Sequence, residues 1–221
     1  MRRLWPFGVV AAVELVGVAT DLTVLQWLAK PLLAPLLLAY LLRVRRRVDG
    51  VAVGLVFATA GDVALLLDGR AAFLAGMAFF LGTQVAFLTA FLRHRRPPVV
   101  AVASYLSCWV AVNLVLWNAL GPLRLPVLGY SLALSLMAAG AAGVSRQVAL
   151  GGGLFLISDL LIGMDAAGSR LTGHGLAVMS TYIAALLLIT TGWVRATGRA
   201  PGVTGGGDPA RFPGPVPGNA R

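Results

Sequence analysis

Long apolar runs recur along this chain from Trp5 to Trp193. Each run has roughly 17–25 residues, which is enough for an α-helix to cross a hydrocarbon core about 30 Å thick. Backbone polar groups find no water there, so the spanning segments must be helices and not open strands. Hydrophobic residues make up 58% of the 221 residues and charged residues 12%, a balance unlike that of a soluble domain. The sequence therefore predicts an all-α polytopic membrane protein, a bundle of about eight transmembrane helices.

The predicted helices are separated by short polar or Pro/Gly-containing breaks. They lie at about residues 5–28, 30–43, 50–68, 72–92, 98–119, 123–143, 148–164 and 173–194. The second is short and is predicted to be tilted, broken or partly re-entrant, because Pro31 and Pro35 suit the start of a helix better than its middle. Glu14 and Asp21 interrupt the first apolar run, which favours a retained first helix over a cleaved signal peptide.

Two regions of different composition follow from this pattern. Residues 1–195 form the predicted transmembrane helical domain. Residues 196–221 contain Pro-Gly, Gly-Gly-Gly and Gly-Pro-Val-Pro stretches and have no apolar period. Such a composition is typical of a disordered C-terminal tail.

Basic residues are distributed unequally between alternate loops of the predicted bundle. Of the 18 Lys and Arg residues, 14 fall on one side and four on the other. Because basic loops stay in the cytoplasm, both termini are predicted to lie inside. The net charge of +10 would suit a nucleic-acid partner in a soluble protein. Here the charges sit between helices, so the expected partners are membrane lipids and not nucleic acid.

Four carboxylates lie inside the apolar segments, where ionisable groups usually face a bundle interior or a cavity. They are Glu14, Asp21, Asp62 and Asp159. Asp62 and Asp159 share a context, since each follows a small residue and precedes apolar residues, on the third and seventh predicted helices. Both helices run outward in the predicted topology, so we expect these two acids at similar depth in the outer half of the membrane.

Asp21, late in the first predicted helix, and Lys30, at the start of the second, are expected near the same level. Two interpretations are open: a functional site, or a Lys30–carboxylate pair that only holds helices together. A carboxylic acid among apolar walls favours its neutral form, whereas one beside Lys30 would stay ionised. Acid–base hydrolysis requires two such groups, and the sequence does not say which acid takes which part.

Other polar residues in the apolar runs are secondary candidates. Gln84, Asn113 and Tyr182 would either form interhelical hydrogen bonds or line a cavity. The single cysteine, Cys108, is expected to be a small buried packing residue. Without an intramembrane histidine, no metal site and no cofactor are predicted. The glycines at 151–153 are expected to allow close helix packing and not to bind phosphate.

Several short motifs occur in order over about residues 25–194. They are Lys30-Pro31-Leu32, Gly61-Asp62 followed by leucines, a Phe-Leu run in the fourth predicted helix, Ser158-Asp159, and Tyr182. Together they resemble the YhhN family, which includes the mammalian transmembrane protein 86 lysoplasmalogenases.

The resemblance implies hydrolysis of the vinyl ether bond of lysoplasmalogen, or of a related ether lysolipid, releasing a fatty aldehyde and glycerophospho-ethanolamine or -choline. It implies that one of Asp62 and Asp159 is the general acid, while the other stabilises the cation and activates water. Lys30 would bind the substrate phosphate or tune one acid. The remaining predicted substrate-binding residues are Asp21, Gln84 and Tyr182.

A small lipid or proton-coupled transporter is the alternative, because paired intramembrane acids also serve carriers. Against it, eight helices in so short a chain leave little material for two gates. Arginine supplies 17 of the 18 basic residues. That usage suggests a high-GC bacterial genome, and hence a multi-pass protein of a bacterial inner membrane. The sequence predicts no oligomeric state.

Overall fold

The computed structural model describes residues 4–118, 120–121, 124–166, 168 and 173–198. Eight helices follow one another through this part of the chain: α1 (Trp5–Ala19), α2 (Thr23–Arg45), α3 (Gly50–Ala64), α4 (Arg70–His94), α5 (Val99–Leu116), α6 (Arg124–Val144), α7 (Arg146–Ala166) and α8 (His174–Gly198). Helices α2, α4, α6, α7 and α8 are long and apolar enough to cross a membrane, whereas α1 and α3 have 15 residues each. The predicted fold class, a polytopic all-α bundle of about eight helices, is confirmed.

Seven of these helices form a closed ring. In order around it, α1, α2, α3, α4, α6, α7 and α8 each pack against the next, and α8 returns to contact both α1 and α2. Helix α5 stands outside the ring, and its extensive contacts in the described structure are with α6. Large side chains that are fully buried fill the interior, among them Leu33, Leu37, Leu55, Phe87, Met137, Phe155 and Ile189.

The border between the first two helices differs from the predicted one. Helix α1 ends at Ala19 and α2 begins at Thr23, where the sequence pattern predicts a break near residue 29. Residues at the break itself end α1. The Thr20 hydroxyl donates to the Val16 carbonyl at 2.7 Å, and Asp21 adopts a left-handed backbone with φ of 54°. Aspartate tolerates this conformation better than most residues, so the chain turns here.

Lys30, Pro31 and Pro35 consequently lie inside α2 and not at its start, so the prediction of a short second helix beginning at these residues is wrong. A proline inside a helix frees one backbone carbonyl, and packing in a membrane bundle compensates for this. Helix α2 is 23 residues long and packs against α1, α3 and α8. That packing outweighs the local preference of proline for a helix start.

Basic residues gather at one end of the ring, which we call the basic end. It contains the C-termini of α2, α4 and α8 and the N-terminus of α7. Asp49 caps the N-terminus of α3 here, accepting bonds of 3.1 Å from the backbone of Val51 and Ala52, and it also accepts from Trp193 Nε1 at 2.8 Å. Helix α8 continues to Gly198, so the first residues of the predicted tail are helical. The predicted tail beyond them lies outside the described residues.

Two adjacent glycines bring three helices close together. A Cβ on Gly151 would lie 2.9 Å from the backbone nitrogen of Ile189 on α8. A Cβ on Gly152 would lie 2.8 Å from the Cβ of Ala141 on α6. Neither position has room for a larger residue, so the predicted role of these glycines in close helix packing is confirmed.

Candidate active site

Asp62 lies near the end of α3 that is remote from the basic end, with only 1% of its surface exposed. Its Oδ2 accepts a hydrogen bond of 2.7 Å from the hydroxyl of Tyr182 on α8. Its Oδ1 is buried and accepts no hydrogen bond from the described residues. One oxygen is therefore held in place while the other retains its full capacity to accept or carry a proton.

Asp159 on α7 is held by two donors from two other helices. Its Oδ2 accepts from the hydroxyl of Tyr130 on α6 and, at 3.2 Å, from Nε2 of Gln84 on α4. Gln84 is fully buried. Three helices of the ring therefore converge on one carboxylate oxygen, which fixes the orientation of this acid.

Three aromatic rings pack beside the two acids. Phe80, Phe155 and Tyr182 make edge-to-face contacts with one another, with centroid distances of 5.8 to 6.2 Å. Phe80 precedes Gln84 by four residues, and Phe155 precedes Asp159 by four, so each phenylalanine shares a helix face with a site residue. All three rings are buried, so they form an apolar cluster next to the polar groups of the site.

The charged groups of the interior lie close enough to act on one another. Asp62 interacts electrostatically with Asp159, Glu14 and Lys30, and Lys30 also acts on Glu14. Glu14 is 0% exposed on α1; its carboxyl oxygens make no hydrogen bond of ordinary geometry within the described residues, and the group interacts with the backbone and the side-chain charge of Lys30. The site therefore contains three acids and one lysine, as the sequence suggests.

The third acid, however, is Glu14 and not Asp21. Asp21 is exposed in the turn between α1 and α2, and the structure does not bring it to the other charged groups. The predicted residues Lys30, Asp62, Gln84, Asp159 and Tyr182 are brought together. The difference has a simple cause, because α1 ends before Asp21 and carries only Glu14 into the interior.

An open cavity lies against Asp159; the empty space within it, including the part continuous with the surroundings, is about 940 Å³. Its walls come from α4, α5, α6 and α7, with Leu65 just beyond α3 and Leu120, and are mostly apolar; they include Phe73, Met77, Val112, Leu134, Leu160 and Ile162. Tyr130 lines the cavity, whereas Asp62 and Tyr182 lie behind the wall. Asp159 is thus the acid that faces the cavity.

Two expectations about α5 have different outcomes. Asn113 lines the cavity and also donates to Ser131 Oγ on α6 at 3.3 Å, so it takes both of its predicted roles. Cys108 is exposed and lines the cavity, so the prediction that it is a buried packing residue is wrong. Within the described residues α5 packs extensively against α6, and the side of α5 that carries Cys108 lines the cavity.

Sequence reasoning missed Tyr130 and left Glu14 out of the site. The signal for Tyr130 was the same as for Tyr182, a single tyrosine within an apolar run. For Glu14 the signal was its position in the middle of the first apolar run. Ionisable residues at such depth usually belong to a functional interior.

A comparison with known protein families identifies the family of the chain. The model of the YhhN family matches residues 25–193. The chain belongs to the YhhN family. All the site residues described above, except Glu14, lie within the matched range.

Individual YhhN relatives are similar at moderate identity. The chain is 31% identical over 142 residues to lysoplasmalogenase TMEM86B of Homo sapiens, covering 64% of this chain and 62% of that protein. It is 30% identical over 144 residues to lysoplasmalogenase TMEM86B of Rattus norvegicus, covering 65% and 61%. The chain therefore spans about three fifths of the length of these relatives. No solved structure matches the chain.

Proposed function

We propose that this protein is a membrane-embedded hydrolase of the vinyl ether bond of lysoplasmalogen or of a related ether lysolipid. The products would be a fatty aldehyde and glycerophospho-ethanolamine or -choline. The observation that carries the proposal is the pair Asp62 and Asp159, each bonded to a tyrosine, with Asp159 at the wall of an apolar cavity. The names of the relatives from three mammals support the same reaction.

Vinyl ether hydrolysis begins with a proton transferred to the alkene carbon that is not bonded to oxygen. This creates an oxocarbenium ion, which water attacks to give a hemiacetal. The hemiacetal then breaks its bond to the glycerol oxygen, which takes up a proton, and the aldehyde leaves. The problem resembles glycoside hydrolysis, where one carboxyl group donates a proton and another stabilises a cation.

The positions of the two acids suggest a division of roles. Asp159 faces the cavity and is the group that would meet the alkene, so we assign it the proton transfer. Asp62 lies behind the wall beside Lys30 and would supply the negative charge that stabilises the oxocarbenium ion. Tyr130 and Gln84 would keep Asp159 oriented throughout.

The cavity suits a lysolipid with one long chain. Its walls are apolar, and the gap between α5 and the helices α4 and α7 leaves a path from the lipid phase. A substrate would enter sideways with its chain still in the bilayer. The hydrocarbon chain would then remain in the membrane throughout the reaction, which suits a water-insoluble product such as a fatty aldehyde.

The orientation of the protein follows from its charges. We propose that the basic end lies in the cytoplasm and that the protein is a multi-pass component of a cell membrane, in a bacterium its inner membrane. Asp62 and Asp159 would then lie in the half of the membrane away from the cytoplasm.

Aldehyde release by purified protein tests this function. We expect wild-type protein to release aldehyde from lysoplasmalogen, and Asp62→Asn and Asp159→Asn each to lose about a hundredfold or more of that rate. Asp68→Asn, which changes an exposed acid just beyond α3, is the matched control and should keep the wild-type rate. All variants should remain folded, with a single cooperative unfolding transition. A folded wild-type protein that releases no aldehyde would overturn the proposal and favour a lipid or proton-coupled transporter.

A further inference from the structure

The cavity face of α6 continues beyond the cavity to a basic residue. Val127, Ser131 and Leu134 line the cavity from this helix. Arg124 precedes Val127 by three residues and Ser131 by seven, so it lies on the same face, one turn further from the basic end. Leu120, shortly before Arg124 in the chain, is also part of the wall. Arg124 therefore stands at the edge of the cavity.

The guanidinium group of Arg124 is held in a defined position. Its Nε donates to the backbone carbonyl of Trp117 at 2.6 Å, and its central carbon lies 5.4 Å from the centre of the Trp117 ring. Stacking on an aromatic face and one hydrogen bond fix the plane of the group. The four N–H donors on its two terminal nitrogens form the fork that recognises carboxylate or phosphate oxygens.

The separation along α6 between Arg124 and Tyr130, which binds Asp159, matches the size of a lysolipid headgroup. Arg124 lies six residues from Tyr130, the partner of Asp159, which corresponds to about 9 Å along the helix axis. In an alkenyl glycerophospholipid, six bonds separate the vinyl ether carbon from phosphorus. An extended chain advances about 3.5 Å for every three bonds, so these bonds cover about 7 Å. A hydrogen bond from guanidinium to phosphate oxygen spans the remainder.

Resting on the proposed function, we infer that Arg124 binds the substrate phosphate and makes the protein selective for phosphate-bearing ether lysolipids over neutral ether glycerols. Lys30 is less suited to this task. It lies on α2, whereas the described cavity wall comes from α4 to α7, Leu65 and Leu120. Its charge acts on Glu14 and Asp62 instead.

Arg70 provides a matched control on the same end of the bundle. It begins α4 and precedes the cavity-lining Phe73 by three residues, so it also lies on the cavity face of its helix. However, 14 residues separate it from Gln84, which is about 21 Å along the axis. A phosphate attached to a lipid reacting at Asp159 would lie well short of it.

The first measurement compares two substrates, lysoplasmalogen with a phosphoethanolamine headgroup and the corresponding 1-alkenylglycerol. Charge-assisted hydrogen bonds to phosphate predict that Arg124→Gln raises KM for the phosphate-bearing substrate roughly tenfold to a hundredfold. The kcat/KM for 1-alkenylglycerol should stay within about twofold. Arg124→Lys should fall between wild type and Arg124→Gln, and Arg70→Gln should match the wild type. Equal losses on both substrates, or equal effects of Arg70→Gln, would overturn the inference.

The second measurement uses binding and needs no hydrolysis. Saturated 1-alkyl analogues, with and without the phosphoethanolamine group, are titrated into wild-type and Arg124→Gln protein in nanodiscs. We expect the wild type to prefer the phosphate-bearing analogue and the variant to lose that preference. A preference retained by folded Arg124→Gln overturns the inference, whatever the protein hydrolyses. If the wild type releases no aldehyde but Arg124→Gln still loses the binding preference, the hydrolase proposal fails and the role of Arg124 in phosphate binding stands.

Discussion

The hydroxyl of Tyr182 lies 2.7 Å from Oδ2 of Asp62, although 120 positions separate the two residues in the chain. A second tyrosine, Tyr130, bonds Asp159 in the same way from α6. Each acid is thus positioned by a helix other than its own. The positions of α6 and α8 in the ring therefore determine how the two carboxylates are presented.

Tyr182→Phe removes one hydroxyl and keeps the ring that packs against Phe80 and Phe155. We expect the variant to fold with a loss of about 1–2 kcal/mol, because Asp62 then lacks its donor in a buried setting. Aldehyde release should fall roughly tenfold to a hundredfold. Tyr40→Phe, on α2 towards the basic end, is the control and should leave the rate unchanged. An unaltered rate in Tyr182→Phe would show that this hydrogen bond has no part in the reaction.

Tyr130 and Gln84 donate to the same oxygen of Asp159, so their effects should not be additive. Tyr130→Phe or Gln84→Leu alone leaves one donor, and each should lower the rate moderately. The double variant removes both donors to that oxygen. Its loss of kcat/KM should exceed the product of the two single losses by a factor that corresponds to about 1 kcal/mol of coupling. The measurement is a double-mutant cycle on kcat/KM. Gln26→Leu paired with Tyr130→Phe serves as the control cycle, because Gln26 donates to Gly17 at the α1–α2 turn. Equal coupling in both cycles would contradict a shared role.

Lys30 is the cation that acts on both Glu14 and Asp62. Removing one partner of a buried charged group costs more than removing both. We expect Lys30→Met to lower the melting temperature, and the double variant Lys30→Met/Glu14→Gln to recover part of the loss, with a coupling of about 1–3 kcal/mol. Thermal unfolding in detergent measures both. Lys30→Met/Asp21→Asn is the control and should show no recovery, since Asp21 is exposed in the turn. Recovery in the control pair would refute this pairing.

Gly54 allows α3 and α4 to approach each other. A Cβ at this position would overlap Cε1 and Cδ1 of Phe87, whose side chain is fully buried. Gly54→Ala should therefore destabilise the protein by about 1–3 kcal/mol through overpacking. Gly8→Ala is the matched control, because nothing lies within 4 Å of its Cβ, and it should be neutral or slightly stabilising. Phe87→Leu should relieve the strain in Gly54→Ala. A Gly54→Ala protein that melts like the wild type would contradict the observed packing.

The sequence predicted the helical bundle and most of its interior polar residues for one physical reason. Apolar length and the cost of ionisable groups at membrane depth are local properties, so Asp62, Asp159 and Lys30 could be selected without knowing their neighbours. These residues come together only if the helices that carry them are predicted at nearly the right positions. Most helix ends differ from the predicted ones by no more than two residues, so the side chains that face the interior stay the same.

Features that depend on tertiary packing could not be predicted in this way. The turn at Thr20–Leu22 replaced the break expected near residue 29, because the surrounding helices stabilise Pro31 and Pro35 within α2. Because of that shift, Glu14 and not Asp21 lies in the interior. The bond between Tyr130 and Asp159 depends on the rotation of α6 against α7, which no local pattern records.

In the part of the chain that the structure describes, α5 packs extensively against α6, and the cavity lies between α5 and the helices α4 and α7. If a lysolipid binds here as proposed, its hydrocarbon tail would leave the cavity on this side and enter the lipid. The part of the tail outside the cavity would contact lipid and not the described side chains, so the protein would not select for chain length. Shorter and longer alkenyl chains would then be consumed in the proportions in which the surrounding membrane contains them, and chain selectivity would be a property of the cell's lipid composition.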